Sequence, residues 1–294
     1  MPATDLSPAE IEAARRVITT AFAEDLAGMI DVTTDAIIPA DLRGNVSIVA
    51  REPGVLAGLA LVPLVLETFE DEVTLQSDGG DGMPLEPGTV VAELAGSVRT
   101  LLTAERTILN LLTLLSGVAT HTRQFVDRAA GTKAQILDTR KTLPGLRRLQ
   151  KYAVRCGGGT NHRMGLFDGV LIKDNHLAAW AEGGGGSIAD ALRHVRSKVG
   201  PDKSIEVEVD TLEQLQDALA AAPDFVLLDN MDCDQLTQAV ALRDGHSPQT
   251  LLEASGGVNL DTVAAIAATG VDRISVGALT HSSIALDLGF DWID

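Results

Sequence analysis

The chain has 294 residues, of which 23 are basic and 41 acidic, for a formal net charge of −18. That excess of acid argues against general nucleic-acid binding, which needs a broad basic surface, and the length allows one large domain or two smaller ones with ample core. Hydrophobic residues make up 45 % but aromatics only 3 %, so the core is expected to be aliphatic. The two cysteines, Cys156 and Cys233, make neither a disulfide framework nor a metal quartet, and reduced thiols in a cytoplasmic protein are expected. The N-terminus has no basic-then-apolar leader, and no run reaches about 18 consecutive apolar residues, so neither a secretory signal nor a membrane span is expected.

In chain order, Ser7-Pro8-Ala9-Glu10 carries a helix start: a capping Ser, Pro at the first helical position and Glu at the third. That helix should run to about Glu24. Residues 31–39 read as a loop. Strands are predicted over 44–52, 72–76 and 88–94, with a short apolar helix over 60–68, an α+β pattern. Residues 103–129 are long, apolar and helix-prone, with Ser116-Gly117 as a break. From there the pattern becomes regular. Strands over 134–138, 169–172, 204–209, 225–228, 251–254 and 273–276 alternate with helices over 188–199, 212–221, 232–242 and 260–268. Apolar strands alternating with helices indicate a parallel sheet covered by helices, and a barrel is favoured over an open doubly wound sheet. Polar residues gather at the strand C-terminal ends, the end that carries the active site in such barrels.

The chemistry concentrates in one basic stretch. Residues 139–173 hold eight Lys/Arg and a single acid, Asp168. Arg140, Lys141, His162, Arg163 and Lys173 follow strands or a glycine loop, so parallel strands would bring them together, and a small polyanion would offset their repulsion. Arg147, Arg148, Lys151 and Arg155 recur at helical spacing and read as a solvated helix face. In Ile205–Asp210, alternation puts Glu206, Glu208 and Asp210 on one face. Glu208 with Asp229, at the end of the next strand, offers oxygen ligands for Mg²⁺ or partners for sugar hydroxyls. Ser255-Gly256-Gly257 and Gly277-Ala278 end two late strands, a setting in which backbone N–H groups hold phosphate.

These segments resemble quinolinate phosphoribosyltransferase (nicotinate-nucleotide pyrophosphorylase, carboxylating). The resemblance runs from about Ile30 to the C-terminus. It rests on ERTILNLLTLLSGVAT, DTRKTLPGLRRLQKYAV, GGGTNHRMGLFDGVLIKDNH, IEVEVDTLEQ, FVLLDNM, LEASGGVNLDTV and GVDRISVGALTHS. It implies an α/β protein: an N-terminal α+β open-faced sandwich over 1–115 and an incomplete (β/α) barrel over 116–282, with the tail 283–294 packing on the first domain. It further implies a homodimer with a shared active site, assembled in some members into a hexamer, and phosphoribosyl transfer from phosphoribosyl pyrophosphate (PRPP) to quinolinate with decarboxylation. Substrate carboxylates would meet Arg106 from the neighbouring subunit, Arg140, Lys141, His162, Arg163 and Lys173. Lys141, Lys173, Glu208 and Asp229 form the implied catalytic set. Glu208 and Asp229 would hold Mg²⁺ or ribose, and Ser255, Gly256, Gly257, Gly277 and Ala278 the 5-phosphate. Two segments depart from the family pattern: Ile30 stands where a Gly is usual before Asp31-Val32-Thr33-Thr34, and the glycine-rich stretch 182–187 is longer. Two other readings stand beside it: a Schiff-base barrel aldolase with Lys173 as nucleophile, and a related phosphoribosyltransferase-like protein of molybdenum uptake.

Overall fold

The computed structural model describes residues 5–293; residues 1–4 and 294, at the ends of the expected domain 1–115 and tail 283–294, lie outside the described residues. Two compact units emerge. The first takes the chain up to Arg123 together with Thr142–Gly158 and the segment from Leu279 onward; the second takes Gln124–Lys141 and Gly159–Ala278. Residues 142–158, expected within 116–282, therefore group with the first unit.

The first unit is built on an antiparallel sheet in the order Leu288–Ile293, Arg43–Ala50, Val90–Ser97, Thr74–Gln76. The C-terminal strand pairs from Asn45↔Ile293 to Ala50↔Leu288. Helix Pro8–Leu26 starts at the predicted capping box. Ser7 N–H donates to Glu10 Oε2 at 2.8 Å, and Glu10 N–H donates to Ser7 Oγ at 3.4 Å. Glu10 also takes two hydrogen bonds from Arg155, at 2.9 and 3.2 Å.

Three local expectations are corrected here. Residues 31–39 are not all loop: Asp31 Oδ1 accepts from the N–H groups of Thr33 and Thr34 and so caps helix Val32–Ile37. Helix Val98–Arg128 runs unbroken through Ser116-Gly117. A Cβ on Gly117 would lie 2.1 Å from the Ile284 carbonyl oxygen, so this glycine serves close packing rather than a break. By length and composition that helix is able to cross a membrane. Its Leu101, Ile108, Leu112, Leu115 and Val118 are buried inside the protein, as in the core helix of a globular unit. Finally, the cations of helix Arg147–Cys156 are not a solvated face: Lys151 is fully buried and Arg147, Arg148 and Arg155 are half-buried.

The second unit holds six parallel strands in the order Gln135–Leu137, Arg273–Ser275, Leu251–Ser255, Phe225–Asp229, Ile205–Val209, Val170–Ile172. Helices Ile188–Val199, Leu212–Leu219, Cys233–His246 and Val263–Ala268 connect them, each close to its predicted place. Val207, Val226, Leu228, Leu252, Ala254 and Ile274 are buried, as strands covered on both faces require. Among the described residues the two outer strands do not pair with each other, so the sheet forms an incomplete α/β barrel. Helix Asp174–Glu182 is the element the pattern does not predict; it buries no residue and has no apolar stripe to read.

Candidate active site

Because all six strands run parallel, their C-terminal ends share one mouth. The register Ile172↔Val207 carries Lys173 beside Glu208, and Lys173 Nζ contacts the Glu208 carboxylate. Glu208 is the more enclosed partner, its side chain 12 % exposed against 46 % for Lys173.

Arg140 and Arg163 reach the mouth from two connections. After strand Gln135–Leu137 the chain passes through Asp138, which is fully buried. Thr160 bridges to Leu137 in parallel, and the two residues that follow bind Asp138. Asn161 Nδ2 donates to Oδ2 at 2.6 Å and His162 N–H to Oδ1 at 2.9 Å. Arg163 Nη1 then donates to the Gly169 carbonyl at 2.9 Å. Burial and the nearby Arg140 guanidinium pull Arg163 below arginine's ordinary value, against the opposing charges of Glu206 and Asp168. Arg140 Nε is buried without a hydrogen-bond partner. Two like charges facing each other, one with an unanswered N–H, are what a bound carboxylate relieves. Lys141 is exposed at the same strand end.

On the opposite side of the mouth, Asp229 pairs with Ser255 in the sheet register. Asn230 adopts a left-handed backbone at φ 54°; it donates Nδ2–H to Asp229 Oδ2 at 2.6 Å and its N–H to the Ser255 carbonyl at 2.9 Å. Gly256 sits at φ 91°, where a Cβ would lie 2.2 Å from Asn230 Oδ1. The bare backbone is required there, and Gly256 and Gly257 are both exposed. Gly277 and Ala278 follow the neighbouring strand Arg273–Ser275.

Deeper in the sheet lies a charged cluster. His162 Nε2 is 3.0 Å from Glu206 Oε2 and 3.4 Å from Glu253 Oε1. Glu253 Oε2 is 3.0 Å from Arg273 Nε, and the Arg273 guanidinium lies over the Phe225 ring, 4.1 Å from its centroid. Neither Glu253 oxygen meets hydrogen-bond geometry, so Glu253 acts on its neighbours by charge. Burial and the like charge of Glu253 push the Glu206 carboxyl up. Burial works against a charged imidazole, but the two carboxylates outweigh it and push His162 up to about 9. The ring geometry opposes a second proton, because Arg163 N–H donates to His162 Nδ1 at 2.7 Å and a proton on Nδ1 would face that amide hydrogen. These contacts favour a ring with its hydrogen on Nε2, toward the acids, and Nδ1 accepting from Arg163.

The structure thus gathers at one end of the second unit Arg140, Lys141, His162, Arg163, Lys173, Glu208, Asp229 and the glycine segments. Arg106 lies on helix Val98–Arg128 of the first unit, its side chain 66 % exposed and 3.8 Å from Glu105. Among them, His162 has both ring nitrogens facing protein partners. Asp138, Glu253 and Arg273 escape sequence reasoning as site residues. For Glu253 the available signal is a charge placed inside an otherwise apolar stretch of parallel strand.

Comparison with known proteins finds relatives along nearly the whole chain. The family model for the N-terminal domain of quinolinate phosphoribosyl transferase matches residues 31–116, and that for the C-terminal domain matches residues 118–291. A nicotinate-nucleotide pyrophosphorylase [carboxylating] of Mycobacterium leprae is 51 % identical over 97 % of this chain and 99 % of its own length. A probable enzyme of the same name from Bacillus subtilis is 41 % identical over 94 % and 92 %. The crystal structure of NadC from Streptococcus pyogenes superposes with a TM-score of 0.90 at 39 % identity, covering 99 % of this chain and all of that one.

Proposed function

Because the chain belongs to the quinolinate phosphoribosyl transferase family, we propose that the cations at the strand ends of its second unit grip quinolinate while the opposite side of the mouth holds PRPP. The enzyme transfers the phosphoribosyl group of PRPP to quinolinate with decarboxylation, giving nicotinate mononucleotide, pyrophosphate and CO₂ in NAD biosynthesis. The observation that carries the division of labour is the Arg140–Arg163 pair, with its buried unpartnered N–H. Planar guanidiniums suit the two carboxylates of quinolinate, with Lys141 and Lys173 adding charge at the rim. Arg106 joins them from the partner subunit of a homodimer, which would explain its strong exposure on helix Val98–Arg128. Mixing Arg106→Ala and Arg140→Ala subunits should then restore activity that neither variant has alone.

Ser255, Gly256, Gly257, Gly277 and Ala278 present backbone N–H groups to the 5-phosphate. Glu208 and Asp229 meet the ribose hydroxyls or Mg²⁺; their hard oxygens fit that ion, which binds through one or two carboxylates while phosphates and water supply the rest. Held there with PRPP, Mg²⁺ would supply positive charge to offset that of the departing pyrophosphate. The ring nitrogen of quinolinate forms a bond to C1 of the ribose as the C1–oxygen bond to pyrophosphate breaks. The carboxylates favour the positive charge that develops on the sugar. The ring nitrogen is then cationic. The bond from C2 to its carboxylate breaks, CO₂ leaves, and the electron pair on C2 takes a proton, for which Lys141 and Lys173 are the candidate donors. Positioning and electrostatics do this work without a protein nucleophile. Lys173 Nζ is engaged by Glu208, which gives no support to the Schiff-base reading. Free Cys156 and Cys233 fit a cytoplasmic setting.

The test is direct. Purified protein receives PRPP and Mg²⁺, with quinolinate in one tube and nicotinate in another, and a quinolinate tube with excess chelator. Mononucleotide and CO₂ should appear from quinolinate alone, and the chelator should abolish both. Product from nicotinate would overturn recognition of the second carboxylate, and undiminished turnover with chelator would overturn the role of Mg²⁺.

A further inference from the structure

The buried cluster beneath the mouth has no part in the chemistry above, yet it is costly. Glu253 is fully buried and Glu206 3 % exposed. Such carboxylates are retained only where something compensates for lost water. Arg273 answers Glu253 from one side, at 3.0 Å, and is itself held over Phe225. The remaining negative charge is directed at His162 Nε2 by Glu206 at 3.0 Å and Glu253 at 3.4 Å.

A His with two carboxylates within ligand distance of one another also has the composition of a metal site. The ring argues against it. A metal on Nε2 would require the proton to move to Nδ1, and Nδ1 already receives the Arg163 amide hydrogen at 2.7 Å. The same donor fixes the alternative: hydrogen on Nε2, facing the acids, and a bare Nδ1 facing Arg163.

That tautomer has a consequence one residue along the chain. The two successive peptides on either side of His162 are held by His162 N–H on Asp138 at 2.9 Å and by Arg163 N–H on His162 Nδ1 at 2.7 Å. The Arg163 guanidinium is then tied to the Gly169 carbonyl at 2.9 Å. Neither ring nitrogen remains to bind a substrate carboxylate, so the imidazole works through its neighbour. We propose that Glu206 and Glu253 are positioning residues, which fix the Nε2–H tautomer of His162 and through its Nδ1 set the Arg163 backbone, and so the guanidinium, at the mouth. The inference rests on the reading that Arg163 grips quinolinate. It separates two layers in the site: an outer one that touches ligand and an inner one that aims it.

The test uses full-length enzyme and four variants. Nitrogen-15 NMR of labelled histidines, with His162 assigned through His162→Gln, should show hydrogen on Nε2 and none on Nδ1 at pH 7.5. Protons on both nitrogens, hydrogen on Nδ1, or a His162 signal shifted by Zn²⁺ alone would each overturn the proposal. Glu206→Ala should raise the KM for quinolinate at least 10-fold while changing that for PRPP less than 2-fold. Glu206→Gln keeps an oxygen acceptor and should recover most of the loss. Equal damage to both KM values would mean a merely structural role and would also overturn it. Arg163→Lys, measured in parallel, distinguishes the two levels of the argument. An unchanged quinolinate KM there removes Arg163 from the substrate site. A raised one with Glu206→Ala unaffected removes the positioning role alone. If Glu206→Ala does not fold, the wild-type tautomer and Glu206→Gln still decide, because Glu206→Gln must keep the Nε2–H tautomer.

Discussion

Asp138 gives the sharpest test of how the mouth is assembled. It is fully buried, and its two oxygens accept separately, Oδ2 from Asn161 Nδ2 at 2.6 Å and Oδ1 from His162 N–H at 2.9 Å. Asp138→Asn keeps one acceptor for His162 but turns an NH₂ toward the NH₂ of Asn161. The change forfeits a hydrogen bond to a charged group, worth about 1.5–3 kcal/mol, and adds about 1 kcal/mol for a donor left facing a donor. The expected loss is therefore roughly 2–4 kcal/mol, read as a fall in the urea midpoint at constant m-value. Because the same contacts carry Arg163, the quinolinate KM should rise with it. The exchanged pair Asp138→Asn with Asn161→Asp reverses donor and acceptor, and should recover at least half of the loss. A single variant within about 0.5 kcal/mol of wild type, the scatter of ordinary surface changes, would refute the reasoning. So would an exchanged pair no better than the single variant.

Other contacts of the molecule carry expected outcomes of their own. Gly256→Ala forces a side chain to φ 91° and into Asn230, so it should cost about 1–3 kcal/mol and raise the KM for PRPP at least 10-fold; an unchanged PRPP KM would remove the segment from the phosphate site. Arg140→Ala and Lys173→Ala should each lower turnover on quinolinate by roughly 100-fold or more with the circular dichroism spectrum intact, and a near-wild-type rate for either would withdraw its assignment. Glu10→Gln tests linkage. Burial alone would raise the Glu10 carboxyl, but hydrogen bonds from Arg155 and Ser7 outweigh it and hold it below its ordinary 4.5. A depressed folded value means stability fully present above 4.5 and lost as pH falls through the folded value. The variant should be less stable by about 1–2 kcal/mol at pH 7, with the gap to wild type closing below 4.5. A gap that does not narrow in acid would exclude the ionised pair as its source.

Much of the second unit was legible because a parallel sheet writes itself plainly. Strands buried on both faces are short apolar runs, and the polar residue that ends each run marks the mouth. Lys173 after Val170–Ile172 and Asp229 at the end of Phe225–Asp229 were found that way. What escaped depends on partners remote in sequence. Ser116-Gly117 looks like a break because nothing nearby shows that Ile284 will lie against it. Lys151 looks solvated because helical spacing shows which residues share a face but not what covers it; it is fully buried. Asp31 was read within a loop, although its position two and three residues before Thr33 and Thr34 suits a cap.

The inner cluster explains why sequence reading found half of this site and missed the other half. Side chains two residues apart on a strand share a face, and each such step moves roughly 7 Å along the strand. Glu206 therefore lies one step deeper than Glu208, and Glu253 one step deeper than Ser255, on the same faces. The outer residue of each pair lies at or next to the end of its strand and reads as a ligand group. The inner one is buried among apolar strand residues, which the local pattern does not reveal. Yet a charge at that depth stays only if a partner meets it, and here the partners are His162 and Arg273. The buried acids of Ile205–Val209 and Leu251–Ser255 thus identify each other through His162, although they are remote in sequence. A buried charge in a parallel strand is best read as one half of a pair whose other half is a charged or ionisable residue at the same depth, and its substitution should act on the ligand only through the residue one step above it.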